Sequence, residues 1–288
     1  MVSDAIAAAD GVWFADEPFA VFPERPGFEI RKTMLPHAEH SHFFALDEAK
    51  LEQFQSYTQG LFEARFREMG TSRRTKPVLR ADRVCLKVLN APWMIGWFAA
   101  ETDAQPLVVL RHPGAQAVSV LRQGWDFPVR AYAKRPEALA AFFTAEQVET
   151  IVRLASAPAG WEVAVLDWIV TSAPLRAFAR QGGPAWRYED IVSAPERFVA
   201  DMLVGRFGLS PEPRLRATFA RPSGSSAMSE GATNAMIATG DRTALLDRWR
   251  TRVDDAALRQ GQALLDRFGV EEYRFLGEGD LPGSDSVS

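Results

Sequence analysis

Residues 106–121, PLVVLRHPGAQAVSVL, constrain the fold more than any other stretch of the chain. The apolar run Leu107, Val108, Val109 and Leu110 stops at Arg111, His112 and Pro113. An Ala- and Val-rich helical pattern carrying Ser119 follows. A short apolar run bounded in this way reads as a buried strand feeding a helix. Arg111 then lies at the carboxyl end of the strand, where open α/β sheets place their ligands, and Ser119 on the helix eight residues later. A guanidinium with its forked donors and a nearby hydroxyl can jointly grip a phosphate.

The rest of the chain sets limits around that segment. A length of 288 residues with 47% hydrophobic content is ample for a substantial core. A formal net charge of −4 argues against a general polyanion binder such as a nucleic-acid protein, despite the local density of Arg73, Arg74, Lys76, Arg80, Arg83 and Lys87. Cys85 is the single cysteine, so no intramolecular disulfide can form; its neighbours Val84 and Leu86 predict a buried strand and an inert thiol. The opening residues MVSDAIAAADGVWF lack the basic start and apolar run of a leader, and no stretch approaches membrane-spanning length, so a soluble cytoplasmic protein is expected. Few lysines beside many arginines and abundant alanine suggest a GC-rich bacterial genome.

Local patterns give the remaining elements. Val12, Trp13 and Phe14 predict a strand ending at Asp16, Glu17 and Pro18. Residues 47–69 carry helical spacing closed by Gly70, 83–89 read as a strand, and 91–100 as a helix opened by Pro92. Helices are expected over 146–155, 162–180, 195–207 (stopped by Gly208) and 242–268, with a short strand over 186–188. Strands alternating with helices predict a mostly parallel sheet covered by helices on both faces. One α/β domain over 1–276 and a disordered tail over 277–288 are expected.

The Arg111 and Ser119 segment resembles the 3′-phosphate-binding motif of sulfotransferases that use 3′-phosphoadenosine 5′-phosphosulfate (PAPS), bacterial and carbohydrate types in particular. Tyr188, in WRYEDIVSAPERF, matches the family tyrosine that contacts the adenine, the alternative being an ordinary half-buried strand residue. Glu189 and Asp190 read as helix-capping carboxylates. Arg221, Ser223 and Gly224 resemble the late loop that closes over the 3′-phosphate, although the string also fits a flexible linker. Lys87 matches a lysine that steadies charge on the leaving oxygen. The histidine that cytosolic members place two residues later is replaced by Leu89. Glu17, in VWFADEPF, resembles an acidic residue that takes the acceptor's proton; a cap or an ion-pair partner is the alternative. His37, His40 and His42 cluster loosely. They lack the Cys or HExxH context of a zinc site, and His42 is the alternative base.

The resemblance implies a P-loop NTPase-like three-layer fold. It also implies transfer of a sulfuryl group from PAPS, as co-substrate and without a metal, to a hydroxyl or amine of a small molecule or carbohydrate. Neither a nucleic-acid nor a membrane partner is implied. Apolar residues between Phe19 and Phe44 and around Trp125 and Phe127 could line an acceptor pocket or belong to the core. The family's Gly/Ser-rich 5′-phosphosulfate loop is absent, and the chain opens on what reads as the second half of the helix that should follow it. An amino-terminal truncation, a catalytically inactive nucleotide-binding or interaction relative, and an unusual site each account for this. A kinase-like phosphotransferase would need a Walker lysine and a magnesium-binding Asp, which the sequence does not offer.

Overall fold

The computed structural model describes residues 2–7, 9–22, 27–35, 43–66, 82–210 and 242–276, and shows an α/β protein with short parallel strands. In chain order the elements are α1 (Val2–Ala7), β1 (Val12–Asp16), α2 (Phe28–Met34), α3 (Glu48–Phe62), β2 (Arg83–Lys87) and α4 (Ile95–Glu101). Next come β3 (Val108–Leu110), α5 (Pro113–Gln123), α6 (Val129–Tyr132), α7 (Pro136–Leu139), α8 (Ala145–Ala155) and α9 (Trp161–Arg180). The chain continues through β4 (Ala185–Arg187), α10 (Tyr188–Ser193), α11 (Pro195–Phe198), α12 (Arg242–Asp247) and α13 (Asp255–Arg267). No described helix is long and apolar enough to cross a membrane. The described residues group into two compact units, one of residues 1–94 with 190–245, the other of 95–189 with 246–288.

In the first unit β1 and β2 pair in parallel, Val12 opposite Arg83 through Asp16 opposite Lys87. Val12, Trp13, Phe14 and Ala15 are all buried, the continuous apolar run of a strand covered on both faces. An aromatic cluster continues from the strand end: Phe19 stacks on Phe54 at 5.1 Å between centroids, and Phe43 lies 5.0 Å from Phe54. These residues are core, and no acceptor pocket need be invoked for Phe19, Phe43 and Phe44, each 4% exposed or less.

Helix α3 starts where Asp47 accepts the Lys50 N–H at 2.9 Å, and it ends earlier than the expected Gly70. Ala64 turns into the left-handed region (φ 51°), and Phe66 folds back to stack on Tyr57 at 5.4 Å. A Cβ at Gly60 would collide with the Phe66 ring, so the glycine inside the helix makes that return possible. The helix expected over 195–207 is one turn of α11 that widens into a π-helix over Val199–Arg206. Gly208, at φ 59°, terminates it.

The second unit is organised on α9, whose residues Val163 to Val170 are buried almost without interruption. A helix apolar on all sides has neighbours on all sides, here α4, α5, α8 and α13. β3 and β4 pair in parallel, Val108 opposite Ala185 through Leu110 opposite Arg187. The single ladder expected from the alternation is thus two short parallel pairs among the described residues. Tyr188, expected to end a strand, is the first residue of α10. The long terminal helix expected over 242–268 is broken: a 3₁₀ turn follows α12, Val253 is extended, and Asp254 caps α13 by accepting the Ala257 N–H at 2.8 Å. The break turns Trp249 inward against α5, where its ring stacks on His112 with centroids 4.6 Å apart.

Gly114 faces that Trp249 ring, and a Cβ there would clash with it. Because Trp249 is also held by His112 and Phe275, it cannot swing aside cheaply. Gly114→Ala should destabilise the protein by about 1–3 kcal/mol, the usual scale for overpacking. Urea denaturation followed by tryptophan fluorescence would show a lowered midpoint at constant slope; an unchanged midpoint would mean that Trp249 is not wedged.

Candidate functional site

Both candidate clusters lie at carboxyl ends of parallel strands. In the first unit the register sets Asp16 opposite Lys87. Strand alternation would send the following residue, Glu17, to the other face. Glu17 instead adopts φ 55°, a left-handed conformation made harder by the proline after it. Its carboxylate thereby returns to the same ammonium. Lys87 Nζ lies 2.8 Å from Asp16 Oδ1 and 3.1 Å from Glu17 Oε1. Burial alone would depress the lysine, but the two carboxylates outweigh it and hold Lys87 above its ordinary value.

The bend at Glu17 is fastened from three sides. The Glu17 N–H donates to the Lys87 carbonyl at 2.9 Å, and the Ala20 N–H donates to the Glu17 carbonyl at 3.0 Å. The buried Tyr57 hydroxyl donates to the Pro18 carbonyl at 2.5 Å. A backbone outlier of this kind costs of order 1–3 kcal/mol and persists where its surroundings over-determine it, which happens most often at functional positions. Cys85, two residues before Lys87 on β2, is half-buried and its thiol is pushed up to about 12 by burial, so it is no nucleophile at neutral pH.

In the second unit the Leu110 and Arg187 register brings the next two residues, Arg111 and Tyr188, side by side. The Arg111 guanidinium lies 5.3 Å from the centre of the Tyr188 ring. Arg111 is exposed, and among the described residues no carboxylate pairs with its side chain. Burial, opposed in part by Arg111, raises the Tyr188 hydroxyl above its ordinary value. Ser119 is half-buried on α5, six residues and so about 9 Å along the axis from Pro113. The structure therefore joins Arg111 to Tyr188 directly and leaves Ser119 further along the helix. Glu189 acts as a cap, though for another helix: its Oε1 accepts the N–H of His112, the residue that opens α5, at 2.9 Å.

His112 supports this arrangement. Its Nδ1 accepts the Gly114 N–H at 3.1 Å, and its Nε2 lies 3.0 Å from the Arg274 carbonyl, which fixes a neutral ring protonated on Nε2. The Trp168 indole donates to the Arg111 carbonyl at 2.9 Å, tying the end of β3 to α9. The alternative base His42, together with His37, His40 and the late-loop residues Arg221, Ser223 and Gly224, lies outside the described residues. So does the expected tail, 277–288. Sequence reasoning assigned no role to Asp16, His112 or Tyr57. The Asp-Glu-Pro string beside a strand was the one available signal for Asp16, and its partner depends on register.

Comparison with protein-family models, with curated proteins and with solved structures gives no match for this chain.

Two groups of the second unit, the half-buried His112 and the buried Asp167, give opposite pH dependences. Burial, only partly offset by the Arg274 carbonyl, lowers His112 from its ordinary 6.5 to about 4. The folded state thus binds fewer protons than the unfolded one; this stability is full above pH 6.5 and is lost as pH falls toward 4. Burial raises Asp167, on α9, from 3.8 to about 7, although the Val129 N–H at 2.7 Å favours its ionised form. Its contribution is full below pH 3.8 and is lost as pH rises through 7. Thermal melts between pH 4 and 7 should show His112→Asn, which keeps a capping acceptor, losing less stability on acidification than wild type. Asp167→Asn should lose more. Parallel curves for all three proteins would contradict both assignments.

Proposed function

We propose that the chain transfers a sulfuryl group from PAPS to a hydroxyl or amine of a small molecule or carbohydrate, on an α/β fold of the P-loop nucleotide-binding type. The observation that carries this reading is the meeting of Glu17 with Lys87 at the carboxyl ends of a parallel strand pair, where α/β proteins do their chemistry. Arg111 beside Tyr188, at the corresponding end of β3 and β4, supports it further: an exposed guanidinium without a carboxylate partner among the described residues suits a phosphate, and the adjoining ring suits a base.

In this reading Glu17 takes the proton of the acceptor's O–H or N–H as that atom bonds to sulfur. The bond from sulfur to the bridging oxygen breaks, and its electron pair leaves with the phosphate oxygen. Lys87 donates a hydrogen bond to that oxygen and so disfavours charge accumulating without a partner. Arg111 and Ser119 hold the 3′-phosphate, and Tyr188 contacts the adenine. A second reading keeps nucleotide binding without transfer. It is favoured by Lys87 being shared already between two carboxylates, which occupy two of its three N–H donors.

Calorimetry with the desulfated nucleotide, adenosine 3′,5′-bisphosphate, tests the shared premise. Arg111→Ala should weaken binding roughly tenfold to a hundredfold, the equivalent of about 1.5–3 kcal/mol for a charge-assisted contact. Affinity unchanged by that substitution rejects the nucleotide assignment. Binding by wild type without transfer of radiolabelled sulfate to any of a panel of hydroxyl and amine acceptors selects the inactive reading.

A further inference from the structure

We propose that Asp16 is the positioning residue that fixes the Lys87 ammonium, so that Glu17 can change its charge without Lys87 losing its place. This rests on the reading of Glu17 and Lys87 as the reacting pair. That reading requires Glu17 to become neutral when it takes the acceptor's proton, at the moment the ammonium is needed at the leaving oxygen. A lysine held by Glu17 alone would lose its partner in that step. The contact with Asp16 is the shorter one, 2.8 Å against 3.1 Å, and comes from a residue paired with Lys87 in regular strand register. Glu17 reaches the same nitrogen only through a left-handed bend. The two carboxylates also differ in setting: the Asp16 side chain is 37% exposed and the Glu17 side chain 10%. Among the described residues Asp16 and Glu17 are the charged groups acting on Lys87. One ammonium between two carboxylates carries a net charge of −1. Once Glu17 is protonated, the Asp16 and Lys87 pair that remains is neutral and intact. Asp16 acts through Lys87 and touches neither acceptor nor nucleotide in this scheme.

The test uses the full chain with ¹³C- and ¹⁵N-labelled lysine, the Lys87 side-chain signal being identified by its loss in Lys87→Arg. Asp16→Asn should lower the Lys87 titration midpoint by about 1 pH unit or more, as expected for removal of an opposite charge in contact. Glu17→Gln should lower it by less and leave it above that of the other lysines. An equal or larger fall in Glu17→Gln overturns the proposal, and that variant alone decides if Asp16→Asn does not fold. Adenosine 3′,5′-bisphosphate calorimetry on the same samples separates the two premises. The expected ordering without nucleotide binding removes the reaction assignment alone. Nucleotide binding with the reverse ordering removes the role of Asp16 alone.

Discussion

Parallel pairing of strands brings like ends together, and both candidate clusters follow from that one constraint. In an antiparallel hairpin the residue after one strand meets the residue before its partner. In a parallel pair the residues that follow both strands emerge side by side. Asp16 therefore stands opposite Lys87, and Arg111 beside Tyr188, although 71 residues of chain separate the first pair. The long connection that a parallel pair requires is helical between β3 and β4, and the buried helix α9 packs against β3.

The two clusters are built with different tolerances. Arg111 stands out in solvent with its backbone pinned by the Trp168 indole, while the guanidinium rests on an aromatic face that it can leave at little cost. A long cation on a fixed stem suits capture of an anion from water. At the other cluster the backbone is bent against its preference at Glu17 and locked by the Lys87 carbonyl, the Ala20 N–H and the Tyr57 hydroxyl. Energy stored in that bend is set against burial of the Phe19, Phe43 and Phe54 rings just beyond it. Charge placement at Glu17 and Lys87 is thereby a property of the hydrophobic core as much as of the ionic contact.

The second unit holds two titratable groups in settings that disfavour their charged forms, and each has a structural role there. His112 is a helix cap enclosed by Trp249, Tyr273 and Phe275, and its neutral ring satisfies one N–H and one carbonyl. Asp167 takes the N–H of Val129 at the start of α6 from within α9. A buried polar group costs little when it closes a backbone donor that would otherwise be lost, and both residues do this. The histidine next to Arg111 thus belongs to the frame of the cluster.

Much of the local structure was legible in the sequence because local rules decide it. Pro113 after His112, Pro92 ahead of α4 and Gly208 after the π-helical turn mark helix ends by local rules. The apolar runs at Val12 and Val108 mark strands for the same reason, and the basic and acidic residues at their ends mark Arg111, Lys87 and Glu17 as candidates. What the sequence alone could not determine is which residues meet. Register between strands distant in the chain, the left-handed turn at Glu17, the return of Phe66 over Gly60 and the inward turn of Trp249 that breaks the last helix all answer to packing partners far away. Local pattern was enough to place the strands, several of the helices and the charged residues Lys87, Glu17 and Arg111 near strand ends. The sharing of Lys87 by two carboxylates and the resting of Arg111 on Tyr188 follow from packing between distant segments, because pairing energy depends on neighbours in space, which no window of sequence contains.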